Sequence, residues 1–449
     1  LVRNHPLYTG RTTRARKNPL WPESEKTTLS DADILHVRHE LETLLLKNIL
    51  PFWQVRVKDQ DFGGYLLNHD SRGRVKAPAA KHLVAQARTL WFFSRLTRSP
   101  HGNPKHRVLA THGYEFLRHS LWDRRHGGCH WSVSHDGRTP IKTYKHMYGQ
   151  SFALTALSEY ARASQDAEAG ALATELFELM EAHCHDPIHG GYLEFLGTDW
   201  KTSSNRDENP LTSGFSGKTT NTHIHILEAL STYYRLTPTP LARERLKEIL
   251  DIHLHKLVPN ESHASLERFA PDWRPLSYRD PQVSYGHDLE ILWLVQEARE
   301  LLDLPADECR TFCEKVFQGA VRFGFDQTCG GFYYSGVPGG NASQHQKIWW
   351  VQAEGLFASL LMAKALELAP AVPVFLKTLA WILEKQADWK RGDWHKHVYG
   401  WQAFGDKAGP WKTPFHNGRS VLFCLDLLSE EPADNFDRQP WPGCNFSGG

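Results

Sequence analysis

Hydrophobic and polar positions recur along this chain in one arrangement: a polar residue opens a stretch of small and large apolar residues at helical spacing. In the first such stretch Leu83, Ala87, Leu90, Trp91 and Ser94 share one face of period 3.6, which predicts a helix. Six segments share the pattern: KHLVAQARTLWFFSRL from Lys81, HMYGQSFALTALSEY from His146, TNTHIHILEALSTYYR from Thr220, SYGHDLEILWLVQEA from Ser284, WWVQAEGLFASLL from Trp349 and FHNGRSVLFCLDLL from Phe415. Superposing Gln86, Gln150, His223, His287, Gln352 and Asn417 gives intervals of 64, 73, 64, 65 and 65 residues. The one long interval contains a polar, glycine-bearing run over 201–217.

A second element lies between these segments, a double glycine followed by a ring or another large residue: Gly63-Gly64-Tyr65, Gly127-Gly128-Cys129-His130-Trp131, Gly190-Gly191-Tyr192 and Gly330-Gly331-Phe332-Tyr333. Paired glycines permit positive φ at a tight reversal, and the residues after them suit a short strand. Each repeat therefore reads as helix, connection, helix, then often a short hairpin. Two helices in about 65 residues, six times over, predict an all-α (α/α)6 barrel of six helical hairpins with short β-hairpins at one end. An open solenoid is the alternative, but closure alone hides every apolar stripe. The expected organisation is a basic extension over 1–30, the barrel over 31–430 and a tail over 431–449.

Composition narrows the function. Lys and Arg number 52 against 51 Asp and Glu, which leaves no electrostatic footprint for nucleic acid or an anionic membrane surface. The start of the chain is basic and broken by prolines rather than apolar, so neither a signal peptide nor a membrane span is expected there. Seven cysteines without a CxxC pair point to neither a disulfide framework nor a zinc knuckle, and fit a reduced, cytoplasmic setting. Sixteen Trp, fourteen Tyr and twenty-six His exceed what a core requires. Rings with an apolar face and a polar edge suit saccharides, whose C–H faces stack while their hydroxyls seek hydrogen-bond partners.

The predicted helix starts carry the polar chemistry: Arg88; Tyr148; Asn221, His223 and His225; His287 and Glu290; Trp349, Trp350 and Glu354; Trp411 and His416. In a closed barrel they converge on one pocket. His287 and Glu290 are three residues apart, so the carboxylate can orient or charge the imidazole, and Trp293 lies one turn further on. Asn221 and His225 share a face, and His223 points the other way, which favours His225 as the functional residue of that pair. A single histidine is usually structural; several at equivalent places in different repeats suggest chemistry. Histidine clusters also suit metals, but a stable metal site needs several ligands fixed by an outer shell. The spacing establishes none, and no metal or cofactor is expected.

The segments QARTLWFFS, GGCHWSV, YGQSFALTALSEY, NTHIHILEA, SYGHDLEILWL, WWVQAE and KAGPWKTPFHNGR, in this order and spacing, resemble the N-acylglucosamine 2-epimerase superfamily, and within it the cellobiose 2-epimerases, from about Phe52 to Leu428. The resemblance implies an (α/α)6 barrel. It also implies epimerisation at C2 of the reducing-end glucose of β-1,4-linked disaccharides, without a required cofactor. It places Arg88, Asn221, His225, His287, Glu290, Trp293, Trp350, Glu354, Trp411 and His416 around the site, with Tyr148 a weaker match. Ile348 and Val351 stand where that family usually has Glu and Pro, a difference that bears on substrate preference. Proton removal beside a carbonyl gives an enediol that can be reprotonated on either face. Two bases titrating near neutrality suit that reaction. On this reading His287 and His416 transfer the proton, His225 assists ring opening, Arg88 and Asn221 stabilise the oxyanion, and Trp350 and Trp411 stack on the sugar. An aldose–ketose isomerase or an epimerase of free or N-acylated monosaccharides is the near alternative. A glycoside hydrolase, drawing a carboxylate pair from Asp288, Glu290 and Glu354, or a non-catalytic sugar-binding module stands further off.

Overall fold

The computed structural model describes residues 27–202, 206–259, 263–276 and 282–429. The tail expected over 431–449, and the extension expected over 1–30 apart from its last four residues, lie outside the described residues. Six helices form the inner ring: α3 (Leu83–Thr97), α5 (Met147–Ser164), α7 (Thr220–Leu236), α9 (Tyr285–Leu302), α11 (Trp349–Ala365) and α13 (Phe415–Leu427). Each packs on the next, and α13 packs back on α3, which closes the ring. The outer helices are α4 (Pro104–Phe116), α6 (Ala167–Cys184), α8 (Pro240–His255), α10 (Asp307–Gly319) and α12 (Ala371–Trp381), each against its preceding inner helix.

The sixth outer position departs from the order read from the repeats. No helix follows α13 among the described residues. Its outer partner is the first helix among the described residues, α1 (Asp31–Thr43), which runs through a π-helical turn (Leu44–Ile49) into α2 (Leu50–Arg56). Among the described residues the barrel thus opens on an outer helix and closes on an inner one, so their pairing buries the apolar faces of both at once.

Burial separates the two rings. Outer helices show one apolar stripe: on α10, Cys309, Phe312, Cys313, Val316 and Phe317 are buried at helical spacing. The pair Cys309 and Cys313 is therefore core surface, with free thiols. Inner helices are covered on all sides; nearly every residue of α5 is buried. The short strands form small antiparallel sheets, and five inner helices start directly from one of them, so the strands lie at the inner-helix N-terminal end.

A repeated cassette holds that end together. The double glycines all have positive φ. A Cβ on Gly128, for example, would lie 2.4 Å from the Trp200 indole. A buried lysine ahead of the inner helix reaches an aspartate ahead of the glycines: Lys81–Asp59 (2.7 Å), Lys145–Asp123 (2.8 Å), Lys218–Asp186 (2.7 Å) and Lys347–Asp326 (2.8 Å). From inside the helix a side chain then clamps the residue after the turn. Gln86 accepts from the Tyr65 amide (2.8 Å) and donates to its carbonyl (2.9 Å); Gln150 does the same to Cys129, and Gln352 to Phe332. His223 accepts from the Tyr192 amide (3.2 Å) and Asp288 from the Ser265 amide (2.8 Å), while Asn417 donates to Asp393 (2.8 Å). The superposed column is therefore a ring of struts. In the fourth repeat its member is Asp288, correcting the alignment on His287 by one residue.

Candidate active site

The first turns of the inner helices surround a cavity of about 650 Å³, within the range that small-molecule sites occupy. Nine of the eleven residues expected around the site line it: Arg88 from α3, Tyr148 from α5, Asn221 and His225 from α7, His287 and Glu290 from α9, Trp350 from α11, and Trp411 and His416 at the start of α13. Trp293 and Glu354 are not on that wall. Trp293 lies deeper, where its indole N–H donates to Glu354 (2.9 Å), and it faces a second cavity at the other end of the barrel. His223 is taken up by its strut, so His225 is the α7 histidine that reaches the cavity.

Each of the three cavity histidines is held by a glutamate on Nδ1: His225 by Glu228 (3.0 Å), His287 by Glu267 (2.7 Å) and His416 by Glu354 (2.7 Å). An ionised carboxylate only accepts, so this network assigns the proton to Nδ1 and leaves Nε2 free. The expected hydrogen bond between His287 and Glu290 does not form, although Glu290 is among the carboxylates that raise the His287 pKa. The partner of His287 comes from the segment preceding the Arg268–Phe269 strand, and Glu290 instead accepts from Arg419 (2.7 Å). Neither Glu267, Glu228 nor Arg419 was picked out from the sequence. Glu228 stands three residues after His225 and Arg419 three after His416, so the helical spacing that suggested Glu290 could have flagged both. Glu267 lies in a connecting segment and had no periodic signal.

Electrostatics set the histidines apart. Burial lowers the His287 pKa, but the adjacent Glu267 carboxylate, together with Glu290 and Asp288, outweighs it and the net displacement is upward. Burial, reinforced by the Arg88 and Arg419 charges, lowers His416 to about 3 against the opposing pull of Glu354. Burial and the same two arginines depress His225 as well. At neutral pH the cavity therefore presents one histidine that keeps its proton to higher pH and another that is neutral, two titratable groups whose surroundings push their pKa values apart. Beneath them burial and Glu354 raise Glu290, whereas Arg419 overcomes burial and holds Glu354 ionised. With His416 neutral, Arg419 is the charge that keeps Glu354 so.

The remaining groups shape the binding surface. Arg88 donates to the Tyr148 hydroxyl (2.9 Å) and the Trp411 carbonyl (3.2 Å), with its guanidinium 4.2 Å from the Phe152 ring centre. Trp350 lies beside both His287 (5.3 Å between ring centres) and His416 (5.7 Å), and it packs on the backbone at Gly286, where a Cβ would fall 2.3 Å from the indole. The carboxylates also form two groups with ligand geometry, His225–Glu228–Glu290 and Glu290–Glu354–His416, whose candidate atoms lie within 4.8 Å of one another. Arg419 is bonded to all three glutamates, so a built-in cation already occupies their shared centre.

Among the described residues no helix is long and apolar enough to cross a membrane. Residues 64–416 match the family described as N-acylglucosamine 2-epimerase (GlcNAc 2-epimerase). A cellobiose 2-epimerase from Bacteroides fragilis is 30% identical over 408 residues, covering 88% of this chain and 99% of that protein. The solved cellobiose 2-epimerase from Spirochaeta thermophila is 33% identical with a TM-score of 0.80, covering 89% of this chain and 98% of the other. A D-mannose isomerase from Marinomonas mediterranea is 26% identical over 82% of this chain and 91% of its own length.

Proposed function

The chain belongs to the N-acylglucosamine 2-epimerase family and is a carbohydrate epimerase or isomerase, and on that premise we propose that it interconverts glucose and mannose at the reducing end of β-1,4-linked disaccharides such as cellobiose, lactose and mannobiose. The observation that carries this reading is the pair His287 and His416. They come from different inner helices, flank one tryptophan, are each oriented by a glutamate, and have pKa values displaced in opposite directions. In the open-chain sugar His416 Nε2 removes the C2 proton, and the electron pair moves into the C1–C2 bond while O1 takes up charge. Arg88 and Asn221 stabilise that oxygen. His287 returns a proton to C2 from the other face and restores the aldehyde; His225 assists ring opening and closure. Trp350 and Trp411 hold the rings, and the cavity has more room than one hexose needs.

A second reading follows from the same enediol and from the likeness to a D-mannose isomerase: protonation at C1 instead of C2 gives a ketose. Incubation with cellobiose, lactose, mannobiose, glucose, mannose and N-acetylglucosamine in heavy water, with products followed by chromatography and NMR, decides between them. Deuterium at C2 of an epimerised disaccharide supports the proposal. Ketose carrying deuterium at C1 supports isomerisation, and free glucose released from cellobiose would refute both.

A further inference from the structure

A single guanidinium lies under the histidines. Arg419, on the second turn of α13, is fully buried and does not line the sugar cavity. One terminal nitrogen donates to Glu228 Oε1; the other donates to Glu290 Oε1 (2.7 Å) and Glu354 Oε1 (2.8 Å). Glu228 holds His225 through its second oxygen. Glu354 holds His416, and its second oxygen accepts from Trp293, so that carboxylate has no freedom to rotate. The guanidinium is sandwiched, 4.6 Å from the Trp293 ring centre and 4.3 Å from that of Phe415. The unbroken sequence of contacts is His416–Glu354–Arg419–Glu228–His225, with Glu290 as a third arm, and it joins side chains of α7, α9, α11 and α13.

We propose that Arg419 is a positioning residue that ties two of the catalytic His–Glu pairs into one rigid unit, fixing which histidine nitrogen faces the sugar. A planar fork can serve carboxylates from three helices at once; a lysine, with one compact ammonium on a flexible stem, cannot. The consequence for His416 is both geometric and electrostatic. The titratable and charged groups facing it are Glu354 from α11, Arg88 from α3, Glu290 from α9, Glu228 from α7 and Arg419 from its own helix. Removing the Arg419 charge takes away one of the two cations that hold the His416 pKa down and lets His416 keep a proton to higher pH.

This inference rests on the two-histidine reading for its kinetic part only. The test compares Arg419→Lys and Arg419→Met with the unaltered protein by thermal melting, by kcat and KM for cellobiose across pH, and by ¹⁵N NMR of the histidine side chains in the sugar-free protein. We expect Arg419→Met to lower kcat by about a hundredfold, the scale of a misplacement near 1 Å. KM should stay within about threefold, and the acid limb of kcat should move to higher pH. Arg419→Lys should lower kcat while leaving that limb in place. In the NMR spectra His416 should show the Nδ1–H tautomer in the unaltered protein and lose it in Arg419→Met. A folded Arg419→Met with unchanged kcat and limb, or with its loss confined to KM, would overturn the assignment. So would the absence of a cooperative melt in Arg419→Lys, which would make Arg419 a stability element. If the unaltered protein epimerises no sugar, the functional reading fails, and the tautomer measurement still decides the positioning role.

Discussion

Glu267→Gln isolates one charge at the candidate site. Glu267 bonds His287 Nδ1 at 2.7 Å, and its own backbone is fixed because its carbonyl accepts from the Thr220 amide at the start of α7 (3.2 Å). Glutamine keeps the shape and a carbonyl acceptor and removes only the negative charge. A hydrogen bond to a charged group contributes about 1.5–3 kcal/mol against about 0.5–1.5 for a neutral one, so the substitution costs the imidazolium about 1–2 kcal/mol, a factor of roughly 5 to 30. The sign follows from the causes at His287. Burial lowers its pKa and Glu267 raises it beyond the ordinary value; with the charge gone only the lowering cause remains in force beside weaker ones. The variant should lose its proton at lower pH, so the alkaline limb of kcat/KM shifts downward. Initial rates of cellobiose epimerisation from pH 5 to 10, with a thermal melt to verify folding, measure this. An alkaline limb that stays in place or moves upward would refute the assignment of Glu267 as the group that charges His287.

Replacement of His287 or His416 by alanine should each reduce epimerisation at least about a hundredfold with the fold retained, since a placed acid or base contributes about 10² to 10⁴. Deuterium uptake at C2, measured separately from glucose-ended and mannose-ended sugars, should show opposite preferences in the two variants; near-normal turnover in either sinks the two-base assignment. Gly286→Ala puts a methyl 2.3 Å from the Trp350 indole, so kcat/KM should fall by up to about a hundredfold if a shift of the order of 1 Å is needed. Helix propensity favours the alanine by about 0.5–1 kcal/mol, so the melt should hold, and an unaltered kcat/KM would remove Trp350 from the sugar-binding wall. Because Arg419 already satisfies Glu228, Glu290 and Glu354, activity should survive exhaustive EDTA treatment; a loss restored by one divalent ion reverses that expectation.

What the sequence displayed, and what it concealed, comes from two sets of positions sharing each inner helix. The strut residues Gln86, Gln150, His223, Asp288, Gln352 and Asn417 recur because every repeat must satisfy the same backbone amide or turn after its outer helix. That demand is identical six times over, so it generated the spacing from which the barrel was legible. The chemistry lies two residues further along, where the same positions carry Arg88, Phe152, His225, Glu290, Glu354 and Arg419. These positions carry four different residue types, because each faces a different neighbour across one pseudo-symmetric floor. A search for similarity between repeats therefore aligns the struts, while the floor shows only as unlike residues near the helix starts, of which Arg88, His225, Glu290 and Glu354 stood out and Phe152 and Arg419 did not. It even misplaces His287, one residue short of its strut, since a histidine does fill the strut position in the third repeat. Aligned on Asp288, the six positions form one ring with two arginines, three ionisable partners of opposite tendency and one aromatic. Arg419 then falls in the same column as Arg88, and the carboxylates of Glu290 and Glu354 stand beside it rather than apart. What no column reveals is Glu267, whose place against His287 depends on how a connecting segment folds back over the start of α9.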